Sequence, residues 1–178
     1  MIKIFVLLCS AALFFTACTP PVKGKNGVTY KSAIQYNDYI IDKQSVVIDL
    51  IDGFNESSDS SIAGISSFID DAVAKINKII ADVEGMPEWR SSPVLRDKAV
   101  TMFKEYKSMF AVSYKRMLAI SGDGEITTQE EKELKDIDVE IERDVTAVED
   151  AFLIAQKEYA SKNNMKLEDK TSKFPKFN

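Results

Sequence analysis

The stretch from Ser60 to Glu84 reads SSIAGISSFIDDAVAKINKIIADVE and contains the clearest structural pattern in the chain. Large apolar side chains recur in it every seven residues, and a second apolar series lies between them. A heptad pattern of this kind predicts a helix that packs along one edge against other helices. The positions concerned are Ile62, Ile65, Ile69, Ala72, Ile76, Ile79 and Val83.

Three more segments carry apolar side chains at helical spacing, and clusters of glycine, proline and small polar residues separate them. The four predicted helices extend from about Tyr30 to Phe54, Ser60 to Glu84, Pro93 to Ile120 and Thr127 to Asn163. Ser92 is the predicted N-cap of the third helix. Amphipathic helices of similar length with short connections bury their apolar faces together, so we predict an all-α, up-down-up-down four-helix bundle over residues 30–165.

The N-terminus carries the pattern of a bacterial lipoprotein signal. Lys3 precedes a short apolar run, and the small pair Thr16-Ala17 is followed directly by Cys18. The apolar run is shorter than the roughly 20 residues that a spanning helix needs, so we predict a cleaved signal peptide over residues 1–17. Cys18 is then the lipidated residue, and residues 18–29, rich in proline and glycine, form a flexible tether. Ordinary signal cleavage without lipidation is the alternative.

Composition excludes several function classes. The chain has 178 residues, a net charge of −5 and no histidine, and its second cysteine, Cys9, lies in the signal segment. We therefore expect no nucleic-acid partner, no thiol or histidine catalysis and no zinc site built on histidine. The sequence predicts a protein that is not an enzyme and that carries no cofactor apart from the covalent lipid on Cys18.

One segment resembles a calcium-binding loop. Residues 119–130 read AISGDGEITTQE and can be aligned with an EF-hand loop in which Asp123, Glu125 and Glu130 would supply oxygen ligands. The first ligand position holds Ala119, so the ligand set is incomplete. We predict no metal site here: the glycines end the third helix, and Thr127 with Glu130 forms a capping box for the fourth.

Two polar residues interrupt the apolar face of the first helix. Asn37 and Gln44 lie in the middle of its apolar arc, one heptad apart, and Tyr106 and Ser113 have the same spacing on the third helix. The first and third helices of an up-down bundle lie diagonally opposite, so these four residues predict a buried polar layer. That layer either fixes the helix register or forms the polar end of a ligand pocket.

Several short motifs carry a family resemblance. They are Tyr36-Asn37-Asp38, Leu95-Arg96-Asp97-Lys98-Ala99, Tyr106-Lys107, Tyr114-Lys115 and Gln156-Lys157-Glu158-Tyr159-Ala160. The mature chain resembles a family of bacterial surface lipoproteins of unassigned function, found in spirochaetes and Bacteroidota. The resemblance implies a helical, lipid-anchored protein of the cell envelope and brings no catalytic residues with it.

The function that the sequence favours is a lipid-anchored module of the cell envelope that contacts the membrane through its lipid and binds another envelope protein. The outer membrane is the expected address. The alternative is a module that carries an apolar small molecule in the bundle core. Residues 166–178 are expected to form an irregular tail or to place Phe174 and Phe177 on the bundle.

Overall fold

A computed structural model describes residues 20–57, 61–90, 92–122 and 124–167. It contains four long helical rods packed together, which confirms the predicted four-helix bundle. The first rod is α1 (Ala33–Glu56), the second is α2 (Ile62–Glu84) and the fourth is α5 (Thr128–Lys162). The third rod is continuous but composite: α3 (Val94–Ser108), a π-helical segment (Met109–Tyr114) and α4 (Lys115–Ser121).

Side-chain caps define where three of the rods begin. The hydroxyls of Ser32 and Ser61 accept hydrogen bonds from the third residue of α1 and of α2. Thr127 and Glu130 form the predicted capping box at the start of α5. The prediction for Ser92 is wrong, because Pro93 occupies the N-cap position of α3 without a side-chain cap, while Ser92 pairs with Trp89 in an isolated β-bridge.

The core follows the heptad pattern of α2 closely. Ile69, Ala72 and Ile76 are fully buried, and Val83 at the end of the helix is buried as well. Ile62 differs, since 50% of its side chain is exposed at the first residue of the helix. The third rod supplies many of the largest fully buried side chains, namely Met102, Phe103, Tyr106, Met109, Phe110 and Tyr114.

Residues 22–30 form a small antiparallel hairpin, in contrast to the tether predicted for residues 18–29. Val22–Lys23 is strand β1 and Thr29–Tyr30 is strand β2. The hairpin packs on the end of α2: the Asn26 amide N–H donates to the Gly85 carbonyl at 3.2 Å, and its side-chain Nδ2 donates to the Asp82 carbonyl at 2.9 Å. The turn needs Gly27, whose φ of 81° disfavours other residues.

The hairpin identifies one end of the bundle, which we call the base. The base consists of residues 20–32, 84–97 apart from Ser91, and 158–167. These three segments are the hairpin before α1, the end of α2 with the start of α3, and the end of α5. Aromatic rings fill its interior: Tyr36 contacts the rings of Tyr30, Trp89 and Tyr159 at centroid distances of 5.2–5.7 Å. The Tyr36 hydroxyl donates to the Pro87 carbonyl at 2.8 Å, which fixes the loop on the core.

The opposite end, which we call the apex, contains the start of α5, the end of α1 and the start of α2. Phe54 near the end of α1 stacks on Tyr114 with ring centroids 3.9 Å apart. These contacts at the two ends show that consecutive rods are antiparallel, as the up-down-up-down topology requires. Of the predicted C-terminal tail, residues 166 and 167 are irregular, and residues 168–178 with Phe174 and Phe177 lie outside the described part.

Candidate functional site

A chain of three polar side chains crosses the bundle core. Gln44 on α1 is 8% exposed, and its Nε2 donates to the hydroxyl oxygen of Tyr106 on α3 at 3.4 Å. The Tyr106 hydroxyl in turn donates a short hydrogen bond to Oε1 of Glu149 on α5. Tyr106 is completely buried. The structure therefore joins the two diagonal helices through Gln44 and Tyr106, and adds a third helix through Glu149.

A second polar contact lies nearer the base. Asn37 is 6% exposed, and its Oδ1 accepts a hydrogen bond from Nε2 of Gln156 on α5 at 2.8 Å. Its Nδ2 donates to Asp38 Oδ1 at 3.5 Å. Asn37 thus lies in the core as the sequence suggested, but its cross-helix partner is α5 rather than the third rod.

Ser113 does not belong to this layer. It is only half-buried, whereas Tyr106 is fully buried. The reason is the π-helical segment Met109–Tyr114, whose wider turn contains one more residue than an α-helical turn. Two turns after Tyr106, the core position is consequently occupied by Tyr114, eight positions later, rather than by Ser113, seven positions later. Tyr114 is fully buried.

Sequence reasoning missed Glu149 and Gln156. Both occupy positions on α5 that continue the helical spacing of the buried residues Val145, Phe152 and Tyr159. A charged residue at such a position reads as solvent-facing unless its partner is known. The signal was present in the spacing 145, 149, 152, 156 and 159, which alternates four and three residues.

Burial controls the electrostatics of the network. Desolvation raises the pKa of the Glu149 carboxyl, and the hydrogen bond from Tyr106 offsets only part of that effect. Desolvation, with the adjacent Glu149 charge, raises the pKa of the Tyr106 hydroxyl far above its usual value. Tyr106 therefore remains a protonated donor at every physiological pH, and the ionisable member of the pair is Glu149.

A second tyrosine and carboxyl pair lies toward the apex on the same two rods. Burial raises the pKa of the Tyr114 hydroxyl, and the charge of Asp138 on α5 adds to the effect. Burial also raises the pKa of the Asp138 carboxyl, whose Oδ1 is enclosed without a hydrogen-bond partner among the described residues. An enclosed carboxylate oxygen of this kind costs folding free energy.

The EF-hand-like residues do not assemble a metal site in the part of the chain that is described. Asp123 lies outside that part, and Glu125 is exposed. The Glu130 carboxylate accepts hydrogen bonds from the Thr127 amide at 2.7 Å and the Thr127 hydroxyl at 2.6 Å. These bonds lower the pKa of Glu130. Within the described ranges, no three histidine, cysteine or acidic side chains are grouped as metal ligands would be.

A cleft of about 230 Å³ opens at the base between the loop after α2 and the end of α5. Trp89, Leu95 and Tyr159 form its apolar lining, and Arg90 and Lys162 lie at its charged side. The Trp89 indole N–H donates to Asn163 Oδ1 at 3.2 Å. This cleft lies at the end of the bundle, outside the core between the helices.

Cys18 and the signal segment lie outside the described residues, which begin at Pro20. No helix between residues 20 and 167, leaving out the short gaps, is both long and apolar enough to cross a membrane.

The chain was compared with protein families, with curated proteins and with solved structures, and none of the three comparisons gives a match. The likeness to envelope lipoproteins therefore remains a prediction from the sequence motifs.

Proposed function

We propose that this chain is a lipid-anchored protein of the bacterial cell envelope, whose bundle binds another envelope protein and has no enzymatic activity. We further propose that the lipid anchors the protein in the outer membrane. The first support for the proposal is the sequence pattern that ends at Cys18, a small pair followed by cysteine after a short apolar run. A single acyl chain binds membranes reversibly, whereas several chains on one cysteine hold a protein stably.

The observation that carries the interaction role is a pair of exposed apolar side chains beside the contact of α1 with α5. Ile34 precedes Asn37 by one turn and is 55% exposed, and Leu153 precedes Gln156 by one turn and is 41% exposed. Because Asn37 and Gln156 are hydrogen-bonded, Ile34 and Leu153 flank the same junction, which we call the α1–α5 seam. Exposed large apolar residues that share one face are typical of protein-binding surfaces.

The alternative, carriage of an apolar small molecule, has one supporting feature in the base cleft. Its volume of about 230 Å³ lies below the roughly 300–1,000 Å³ of most small-molecule sites. The cleft also lies at the end of the bundle, whereas the alternative requires a ligand site in the bundle core. The core around Gln44 is filled, because its side chain contacts Met102 and Tyr106, and Phe103 packs against Tyr106. We therefore favour the protein-binding role.

Site-specific photo-crosslinking in intact cells tests the proposal. A photoreactive phenylalanine analogue is placed at Ile34 or Leu153, and in a matched control at Val112, an exposed apolar residue of the third rod. The proposal predicts one discrete adduct from the two seam positions and none of that size from Val112. Adducts that are equally abundant at all three positions, or absent from the seam, would contradict a dedicated protein-binding face.

A further inference from the structure

The hairpin limits the distance between the bundle and a lipid on Cys18. Strand β1 begins at Val22, and Asn26 in the turn is hydrogen-bonded to the end of α2, so the chain is attached to the base from that point on. Only three residues, Thr19 to Pro21, separate Cys18 from Val22, and the four Cα-to-Cα steps between them span at most about 14 Å when fully extended. The base, rather than the apex or the side of the bundle, is the part that lies within this reach.

Close packing makes this attachment firm. A Cβ atom on Gly85 would lie 2.8 Å from the Asn26 backbone nitrogen, so the turn and the end of α2 are in direct contact. Tyr30, the last residue of the hairpin, is 1% exposed, and its hydroxyl accepts a hydrogen bond from Asn26 Nδ2 at 2.7 Å. Tyr30 also packs edge-on against Tyr36 of α1. The hairpin therefore belongs to the bundle and does not act as a free spacer.

The base also differs in charge from the rest of the chain. Its three segments contain five lysines and two arginines against four acidic residues, a net charge of +3, whereas the whole chain has a net charge of −5. Three of the basic side chains, Lys23, Lys25 and Lys31, are exposed on or directly after the hairpin. The full set is Lys23, Lys25, Lys31, Arg90, Arg96, Lys162 and Lys166 against Glu84, Glu88, Asp97 and Glu158.

We infer that the base of the bundle rests on the membrane that holds the anchor and binds the anionic headgroups of its lipids through these basic side chains. The inference rests on the proposed lipidation of Cys18 and adds an orientation to it. Lysine and arginine side chains are attracted to an anionic bilayer, and the attraction acts over a Debye length of about 10 Å at 0.1 M salt. The short connection keeps the start of the hairpin within about 14 Å of Cys18, a distance comparable with the Debye length.

This orientation directs the helices away from the membrane. The 35 residues of α5 extend for about 52 Å, from Lys162 in the base to Thr128 at the apex. The apex, with its acidic residues Glu125, Glu130 and Glu131, then projects furthest from the lipid surface. The α1–α5 seam lies on the side of the bundle near the base, where Ile34 and Leu153 are exposed and accessible to a partner.

Two labels on one helix test the inference on the full-length, lipidated protein. Cysteine is introduced at Ser161 in the base or at Gln129 near the apex, both exposed and neutral, and is coupled to a fluorophore. The protein is reconstituted into vesicles of phosphatidylcholine with one part in three of phosphatidylglycerol, which carry a headgroup quencher. We expect quenching of the Ser161 label to exceed that of the Gln129 label several-fold, and to fall in phosphatidylcholine alone or when salt is raised to 1 M.

Variants with reversed charges in the base distinguish binding to anionic headgroups from mere proximity to the membrane. The pair Lys25→Glu and Lys31→Glu should reduce quenching of the Ser161 label to nearly that of the apex label. The matched pair Lys132→Glu and Lys135→Glu, exposed near the start of α5, should leave it unchanged. The inference is wrong if the protein is anchored but quenching of its Ser161 label depends neither on lipid charge nor on the Lys25→Glu and Lys31→Glu substitutions. Failure of the anchor itself has a different result, since the wild-type protein would then lack acyl mass and would not sediment with either vesicle.

Discussion

At the scale of single residues, Glu149 is the side chain whose environment is least expected of its type. A carboxylate normally faces water, yet Glu149 accepts a hydrogen bond from the fully buried Tyr106, and burial raises its pKa. Because its folded pKa lies above the unfolded value, the folded state binds this proton more tightly than the unfolded state. Its contribution to stability is therefore largest in acid and is lost as the pH rises through the folded pKa.

We predict that Glu149→Gln raises the free energy of unfolding at pH 7 by about 1 kcal/mol, because the amide keeps an acceptor for Tyr106 without a buried charge. The stability advantage of the variant should shrink as the pH falls from 7 toward the ordinary glutamate range. Urea unfolding at several pH values measures both effects. Glu142→Gln, one heptad earlier and exposed, is the matched control. Parallel pH profiles for wild type and Glu149→Gln would show that the carboxylate carries no such cost.

At the scale of elements, the helices could be predicted from sequence periodicity. Features that depend on contacts between residues far apart in the sequence could not. The heptads of α2 and the capping box of α5 are local patterns, and the structure contains both. The hairpin depends on Asn26 bonding to Asp82, 56 residues away, which no local pattern reveals. Buried Asn37 and Gln44 could be found because they interrupt an apolar arc, but Ser113 was misplaced because the π-helical turn shifts the register by one residue.

The register shift itself can be tested by deletion. Removing Val112, which is 52% exposed in the π-helical segment, should convert that segment into a regular α-helix and keep Tyr106 and Tyr114 on the core face. We expect a loss of no more than about 1 kcal/mol in unfolding free energy. Deleting exposed Ala147 from the regular part of α5 should cost more than about 3 kcal/mol, because it rotates Phe152 and Tyr159 out of the core. Equal costs for the two deletions would contradict the account of the π segment.

At the scale of the whole molecule, the two ends of the bundle differ in charge. Its basic base carries the N-terminal hairpin, and its acidic apex lies about 50 Å away along α5. The Gln44–Tyr106–Glu149 chain ties three of the four rods together near the middle, and the aromatic cluster of Tyr36 closes the base. With its base anchored as we propose, the rod would present a side face to a partner at a set height above the membrane.

The measurement that tests the central claim most directly is the intact mass of the protein extracted from membranes of its own or a related bacterial host. The account predicts a chain that begins at Cys18 and carries the added mass of several acyl chains, and it predicts that Cys18→Ala moves the protein into the soluble fraction. An unmodified mature N-terminus, or a Cys18→Ala variant that still fractionates fully with membranes, would contradict the lipid anchor.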